Sequence, residues 1–418
     1  MASLSSPYRP IEDYGLIGDM RTVALVSTEG AIDWCCLPRF DAPSIFGRIL
    51  DHEKGGTFHL RVSGDDVETK QFYWPDTNVL VTRFLSEDGV GEVRDFMPVG
   101  GEASEDGVGE VRDFMPVGGE AVNPEERQII RTARAVRGTV PFQLDCLPAF
   151  DFARAEHTMS ETPNGVCFHG PDLGLSLASE VPLQRAGDGA AARFTLREGE
   201  STTFVLRTMP MGGDCGTPLN PDQAEAAFRA TVAYWRDWLA QSTYTGRWRE
   251  SVHRSVLALK LLTYAPTGAI VAAPTCGLPE EIGGVRNWDY RYTWIRDAAF
   301  TIYAFLRIGF TDEARDFITF LNGLCADAAA DGRPLQIMYG IDGRTELTEE
   351  TLDHLEGYRG SAPVRRGNGA YDQLQLDIYG ELIDSIYIYD KYGVPVTHEV
   401  WDSVRTYVDW VCDHWDQP

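Results

Sequence analysis

Up to about residue 215, apolar positions recur at every second residue in short runs. Phe58, Leu60 and Val62 form one run, and Val79 with Val81 a second. Phe194 with Leu196 and Phe204 with Leu206 form two more. Gly, Pro, Asn and Asp clusters separate them. A period of two puts alternate side chains on one face of a strand. This part of the chain therefore predicts short antiparallel strands stacked as a β-sandwich.

The period changes after Pro221. Phe228, Val232, Trp235 and Leu239 follow helical spacing, and Val252, Val256, Leu259 and Leu262 mark a second helix. Ala299, Tyr303 and Leu306 mark a third, stopped at Gly309. Thr311 is placed to cap the next, with Asp312 and Glu313 in a first turn that the helix dipole favours. Another helix is expected from Tyr371 to Tyr392. A last one begins near Thr397, with Trp401, Val404, Val408 and Val411 on one stripe. The expected division is 1–220 β, 221–247 a linker helix and 248–418 helical hairpins with long intervening loops.

One stretch breaks the pattern. Residues 86–103 read SEDGVGEVRDFMPVGGEA, and residues 104–121 repeat them without a change. Chance does not produce this, and two copies alone do not make a solenoid. Eighteen is even, so the insertion preserves which face each strand residue occupies. One copy is expected to hold the strand and the other to be extruded, with both competing for one place.

Composition narrows the function. The formal net charge is −26. Such a surface repels nucleic acid and anionic membranes, so neither is expected as a partner. The start, MASLSSPYRP, lacks a basic segment followed by an apolar one. No apolar run is long enough to span a bilayer. The eight cysteines are scattered, with no CxxC and no histidines at zinc spacing. These features predict a reduced, cytoplasmic protein with inert thiols. No GxGxxG after a strand, Walker loop, HExxH or GxSxG is present, so no cofactor or metal is expected.

The candidate chemistry lies in four segments. In RNWDYRYTWIRD, from Arg286 to Asp297, aromatics alternate with polar residues. An extended chain puts them on opposite faces, and sugars use both: rings for C–H faces, charges for hydroxyls. The same composition also suits an aromatic sheet edge with an ordinary Arg–Asp ion pair. In RRGNGAYDQLQLDIYGE, from Arg365 to Glu381, a Gly-rich turn leads into Gln373, Asp377 and Glu381 at helical spacing, with Gln375 off that stripe. That suits polyol recognition or a solvated acidic face. Residues 335–361 carry Glu346, Glu349, Glu350, Asp353 and Glu356, either a charged surface loop or the source of an acid–base pair or metal site; His354 reads as structural. Near the N-terminus, Asp33, Trp34, Arg39 and Asp41 read as a hairpin closed by an ion pair.

IEDYGLIGD, IDWCCLPRFDAPSIFGRILD, RNWDYRYTWIRDA, LQIMYGIDG, HLEGYRGSAPVRRGNGA and QLQLDIYGE, in this order, resemble glycoside hydrolase family 15, the glucoamylase and bacterial trehalase group. The resemblance covers the chain apart from the duplicated residues. It implies a multi-domain β + α protein, an N-terminal antiparallel β-sandwich followed by an (α/α)6 six-hairpin barrel. It also implies an exo-acting glycosidase that hydrolyses α-glucosidic bonds with inversion, on maltose, isomalto-oligosaccharides or trehalose. In the family, the motif matched by Trp294 to Asp297 holds the non-reducing glucose, which assigns that role to Arg296 and Asp297. Trp288, Asp289 and Trp294 are expected beside them, with Arg365, Asn368 and Gln375.

The family's general acid lies in a Trp-Glu motif, and its general base nearer the C-terminus. Neither is reached before Pro418. Inverting hydrolysis needs two carboxyls about 6.5–9.5 Å apart. The expectation is an incomplete barrel, inactive alone, that grips the sugar without cutting it and self-associates through uncovered helix faces. The alternatives are a non-catalytic carbohydrate-binding protein and a related sugar phosphorylase.

Overall fold

A computed structural model describes residues 6–64, 66–99, 127–210, 212–213, 215–330, 334–393 and 395–416. They divide into two compact units, one formed mainly by residues up to Trp238 and one mainly by those from Leu239 onward.

In the first unit, the expected strands appear as Thr57–Val62, Leu80–Ser86, Gly189–Arg197 and Ser201–Met209, among others, and every pairing is antiparallel. One long strand, Gln128–Leu147, organises the rest. Its first half pairs with Gly89–Phe96 and Ser201–Met209, and its second half with Thr57–Val62 and Gly189–Arg197. Phe58, Leu60, Phe84, Val93, Phe142, Leu175 and Phe204, from both ends of this arrangement, pack in one core. The turn at Gly138 needs glycine: φ is +76°, and an added Cβ would lie 2.4 Å from the Asp88 carbonyl oxygen.

A charged pair is buried across this core. Arg131 and Asp95 are both 0% exposed. The Arg131 Nε donates to Asp95 Oδ1 at 2.7 Å and Nη2 to Oδ2 at 3.2 Å. Nη2 also donates to the Gly30 carbonyl at 2.7 Å, and Nη1 to that of Phe58. Asp95 belongs to the first duplicated copy, whose residues 89–96 form a strand between Leu80–Ser86 and the long strand. The second copy, and the expected competition between copies, lie outside the described residues.

The helix after Pro221 runs Pro221–Leu239 and is not a free linker. Phe228 and Val232 sit in a cluster with Val79, Phe96, Ile130 and Val205 of the sheet. Asn220 caps its start: its Oδ1 accepts from Gln223 N–H at 2.9 Å, and Gln223 Oε1 accepts from Asn220 N–H at 3.0 Å.

The thiol expectation fails for one pair. Folding brings Cys167 and Cys215 together beside Met209, with Cα atoms 5.8 Å apart, and they are disulfide-bonded. The remaining cysteines are in no disulfide, and Cys412 alone among them is exposed.

The second unit is helical: Arg249–Leu261, Ile295–Arg307, Thr311–Ala330, Asp377–Tyr392 and His398–His414. Thr397 caps the last helix, accepting from Val400 N–H. Two expected stripes are turned from their predicted orientation. Val400, Val404 and Tyr407 face inward, the Tyr407 ring 5.8 Å from that of Tyr379, while Trp401 is 58% exposed and Val408 is exposed too. On Ile295–Arg307 the buried set is Ile295, Ala298, Ala299, Ile302, Phe305 and Leu306, and Tyr303 faces out with Phe300. Among the described residues, no helix is long and apolar enough to cross a membrane.

Candidate functional site

The segment Arg286–Asp297 runs extended beside residues 272–280. Ala272, Ala273 and Gly277 N–H donate to the carbonyls of Tyr292, Tyr290 and Trp288 at 2.9–3.0 Å. The alternation seen in the sequence is real, but its polar face is wholly buried, whereas on the aromatic face Trp288 and Tyr290 are only partly buried. Asn287, Asp289, Arg291 and Thr293 are all buried. Each polar group inside needs a partner. Arg291 donates to Asp289 through Nε at 2.9 Å and Nη2 at 2.7 Å. Asn287 Nδ2 donates to the carbonyls of Gly284 and Pro363.

This places Asp289 behind the wall rather than on it. Its Oδ2 accepts from Gly367 N–H at 3.1 Å, and its carbonyl accepts from Asn368 Nδ2 at 3.2 Å. Asp289 therefore ties RNWDYRYTWIRD to the RRGNGA turn and has no oxygen turned toward the cavity lining. Gly367 is required there: φ is +72°, and an added Cβ would fall 1.9 Å from the Thr348 carbonyl oxygen.

In front of this layer is a cavity of about 570 Å³. Trp288, Tyr290 and Trp294 line one side, with the Tyr290 and Trp294 rings 5.4 Å apart. Arg296 and Asp297 lie on the first turn of helix Ile295–Arg307 and also line it. Arg296 Nη1 donates to Asp377 Oδ2 at 2.6 Å. Asp297 has its carboxyl held above the ordinary carboxylate range by partial burial, against the opposing pull of Arg296 and its own N–H. Asn368, Gln373 and Gln375 also line the cavity.

Arg365 is not a lining residue either. Its guanidinium lies 4.6 Å over the Trp288 ring, Nε sits 3.0 Å from Glu349 Oε1, and Nη1 donates to the Val285 carbonyl at 2.7 Å. It braces the wall from behind. Residues 371–376 are a turn rather than helix, held by Tyr371 N–H to the Asn368 carbonyl and Gln373 N–H to the Ala370 carbonyl. The helix begins at Asp377, so the expected Gln373–Asp377–Glu381 stripe does not exist, and Gln373 and Gln375 both reach the cavity.

Sequence reading missed Glu280 on the rim. It is ion-paired to Arg286 at 2.8 Å and lies 3.4 Å from the Tyr290 hydroxyl. Glu349 was one of five acidic candidates; it is singled out by accepting from Gly369 N–H at 3.0 Å. Glu350 pairs instead with Arg366 at 3.0 Å. Among the described residues no group of three or more His, Cys, Asp or Glu side chains is placed to hold a metal ion.

The family model for glycosyl hydrolases family 15 matches residues 246–418, which include every residue of this cavity. Residues 5–108 match the trehalase-like N-terminal model. The chain is 35% identical to a trehalase of Mycolicibacterium smegmatis over all of its own length and 62% of that protein. It is 36% identical to a trehalase of Thermoplasma volcanium, with 95% of this chain and 60% of the relative covered. Trehalase 1 of Sulfolobus acidocaldarius is 34% identical, with 96% and 64% covered. The chain thus spans less than two thirds of the length of these relatives.

Proposed function

We propose that this chain carries the glucose-holding subsite of an exo-acting glycosidase that hydrolyses α-glucosidic bonds with inversion, with trehalose the first substrate to test. The observation that carries the reading is the cavity lining itself: three aromatic rings share it with Arg296, Asp297 and two glutamines. The rings pack on the apolar faces of a pyranose, and the charged pair takes its hydroxyls. The relatives named trehalase favour trehalose over maltose or isomaltose. The helical unit is read as part of an (α/α) barrel and the sheet unit as a sandwich.

Of the carboxylates on the wall, Glu280 and Glu349 are ion-paired and Asp297 sits at a helix start. We assign all three to gripping the sugar and none to the acid or base step. The test is calorimetric titration with trehalose and maltose, alongside glucose release by the 418-residue chain. Binding should appear, and Arg296→Met should weaken it roughly tenfold or more. Unchanged binding in Arg296→Met would remove the assignment. Binding without turnover favours a carbohydrate-binding role for this chain.

A further inference from the structure

The sheet unit holds a second cavity, of about 370 Å³, that the family 15 pocket does not use. That volume falls within the usual range of small-ligand sites, roughly 300–1,000 Å³. Its walls are strongly polar and balanced in sign: Arg9, Arg48 and Arg61 against Glu29, Asp33 and Asp145. Two of the opposite pairs neutralise each other, Arg9 with Glu29 and Arg61 with Asp145, the latter at 2.9 Å.

Asp33 and Arg48 remain. Asp33 is 4% exposed, and each of its oxygens accepts one hydrogen bond, Oδ1 from Thr57 Oγ1 at 2.7 Å and Oδ2 from Tyr14 at 2.9 Å. A carboxylate has about four acceptor sites, so half of its capacity is unused. The Arg48 side chain makes no hydrogen bond or ion pair with any described residue, although its charge acts on Asp33. His59 completes the lining as a neutral ring. Its Nδ1 faces Arg61 Nη1 at 2.8 Å and its Nε2 the Glu29 carbonyl at 3.0 Å, and burial together with Arg61 pushes its pKa down to about 3.

We infer that this cavity is a second saccharide site, in which a neutral polyol bridges Asp33 and Arg48. A hydroxyl donates to the carboxylate and accepts from the guanidinium, which matches the two groups left over. Net neutrality is the argument against an anion: a phosphate on Arg48 would meet the Asp33 carboxylate across the same cavity. Tyr8 and Tyr14 on the lining give the ligand apolar faces.

The test uses the full chain with the other pocket silenced by Arg296→Met and Asp297→Asn. Titration with glucose, maltose and trehalose should still show one weak site, with a Kd on the order of millimolar. Adding Arg48→Gln should weaken it roughly tenfold or more. Adding Leu147→Trp instead, at a half-exposed lining position, should block the cavity by volume and abolish binding without touching either charge. Loss of all saccharide binding in the silenced chain overturns the inference, leaving a solvent-filled cavity. So does binding that survives Leu147→Trp, or Arg48-dependent binding of inorganic phosphate with none of sugar. Thermal melts show which variants fold, and one folded variant of the two decides.

Discussion

Removing Asp95 separates the energy of a buried ion pair from the effect of a duplicated strand. Arg131 has its guanidinium against Asp95 and two backbone carbonyls, with no exposure to water. Asp95→Ala leaves that cation unneutralised, which costs about 3–5 kcal/mol in a chain with a single copy of the strand. Asp113 holds the same place in the second copy. In the native pairing the turn between Ser86 and Gly89 is tight. Using the second copy would replace that turn by a connection of about twenty residues and shorten the one that follows, a closure penalty on the order of 1 kcal/mol. The smaller number wins, so Asp95→Ala should switch copies and lose only about 1 kcal/mol. Asp113→Ala alone should have almost no effect, and the double variant should lose the full 3–5 kcal/mol, a strongly non-additive pattern. Hydrogen exchange at the amides of Gln128–Leu147, read by mass spectrometry on the whole chain, measures each opening free energy. A single Asp95→Ala that already loses the full amount would refute the exchange of copies.

Three further outcomes follow from the second unit. The Asp297 carboxyl titrates above its ordinary value of 3.8, so it favours the fold below that value and withdraws this support as pH rises through the shifted one. Sugar binding runs the other way, because only the ionised form accepts two hydroxyls; affinity should fall on acidification in a step above pH 3.8, and Asp297→Asn should flatten it in calorimetry across pH. Gly367→Ala drives a methyl into the Thr348 carbonyl at a left-handed φ, and loss of about 1–3 kcal/mol or more is expected, with α-glucoside binding lost in parallel; an unchanged melting temperature would show that the RRGNGA turn is not fixed there. The exposed Phe300, Tyr303, Tyr387 and Trp401 predict self-association, which a monodisperse monomer in light scattering would contradict.

Much of the architecture was legible because period alone carries it. The strand runs around Phe58 and Phe204 and the helices around Phe228 and Val256 are where the spacing puts them. Helix rotation was less legible. On His398–His414 the expected stripe ran through Trp401, Val404, Val408 and Val411; of these Val404 is buried, together with Val400 and Tyr407, while Trp401 and Val408 are exposed. The turn at 371–376 was misread because Gln, Leu and Asp are all tolerated in helices. The turn there starts at Asn368, whose side chain is tied to the Asp289 carbonyl almost eighty residues earlier, a contact that local sequence does not reveal. The Cys167–Cys215 pair was invisible for the same reason, since the strands that bring the two residues together lie far apart in sequence.

The pocket wall shows where periodicity stops informing. RNWDYRYTWIRD announces two faces, and general experience would bury the aromatic one. The residues themselves contain the counter-argument. On an extended chain Asp289 and Arg291 share a face at i and i+2, so they can neutralise each other in the interior, as their 2.7 and 2.9 Å contacts show. Once that pair is inside, Asp289 still has acceptor capacity, and the Gly367 amide and the Asn368 side chain fill the layer around it. Trp288, Tyr290 and Trp294 then border the cavity, where a pyranose can use them, while Tyr292 stays buried beneath Arg344. Asp289 was expected on the sugar. Its place behind the wall gives it the opposite duty, holding Trp288 and Tyr290 in front of it and the RRGNGA turn beside it, so the sugar meets a surface whose geometry is fixed before it arrives.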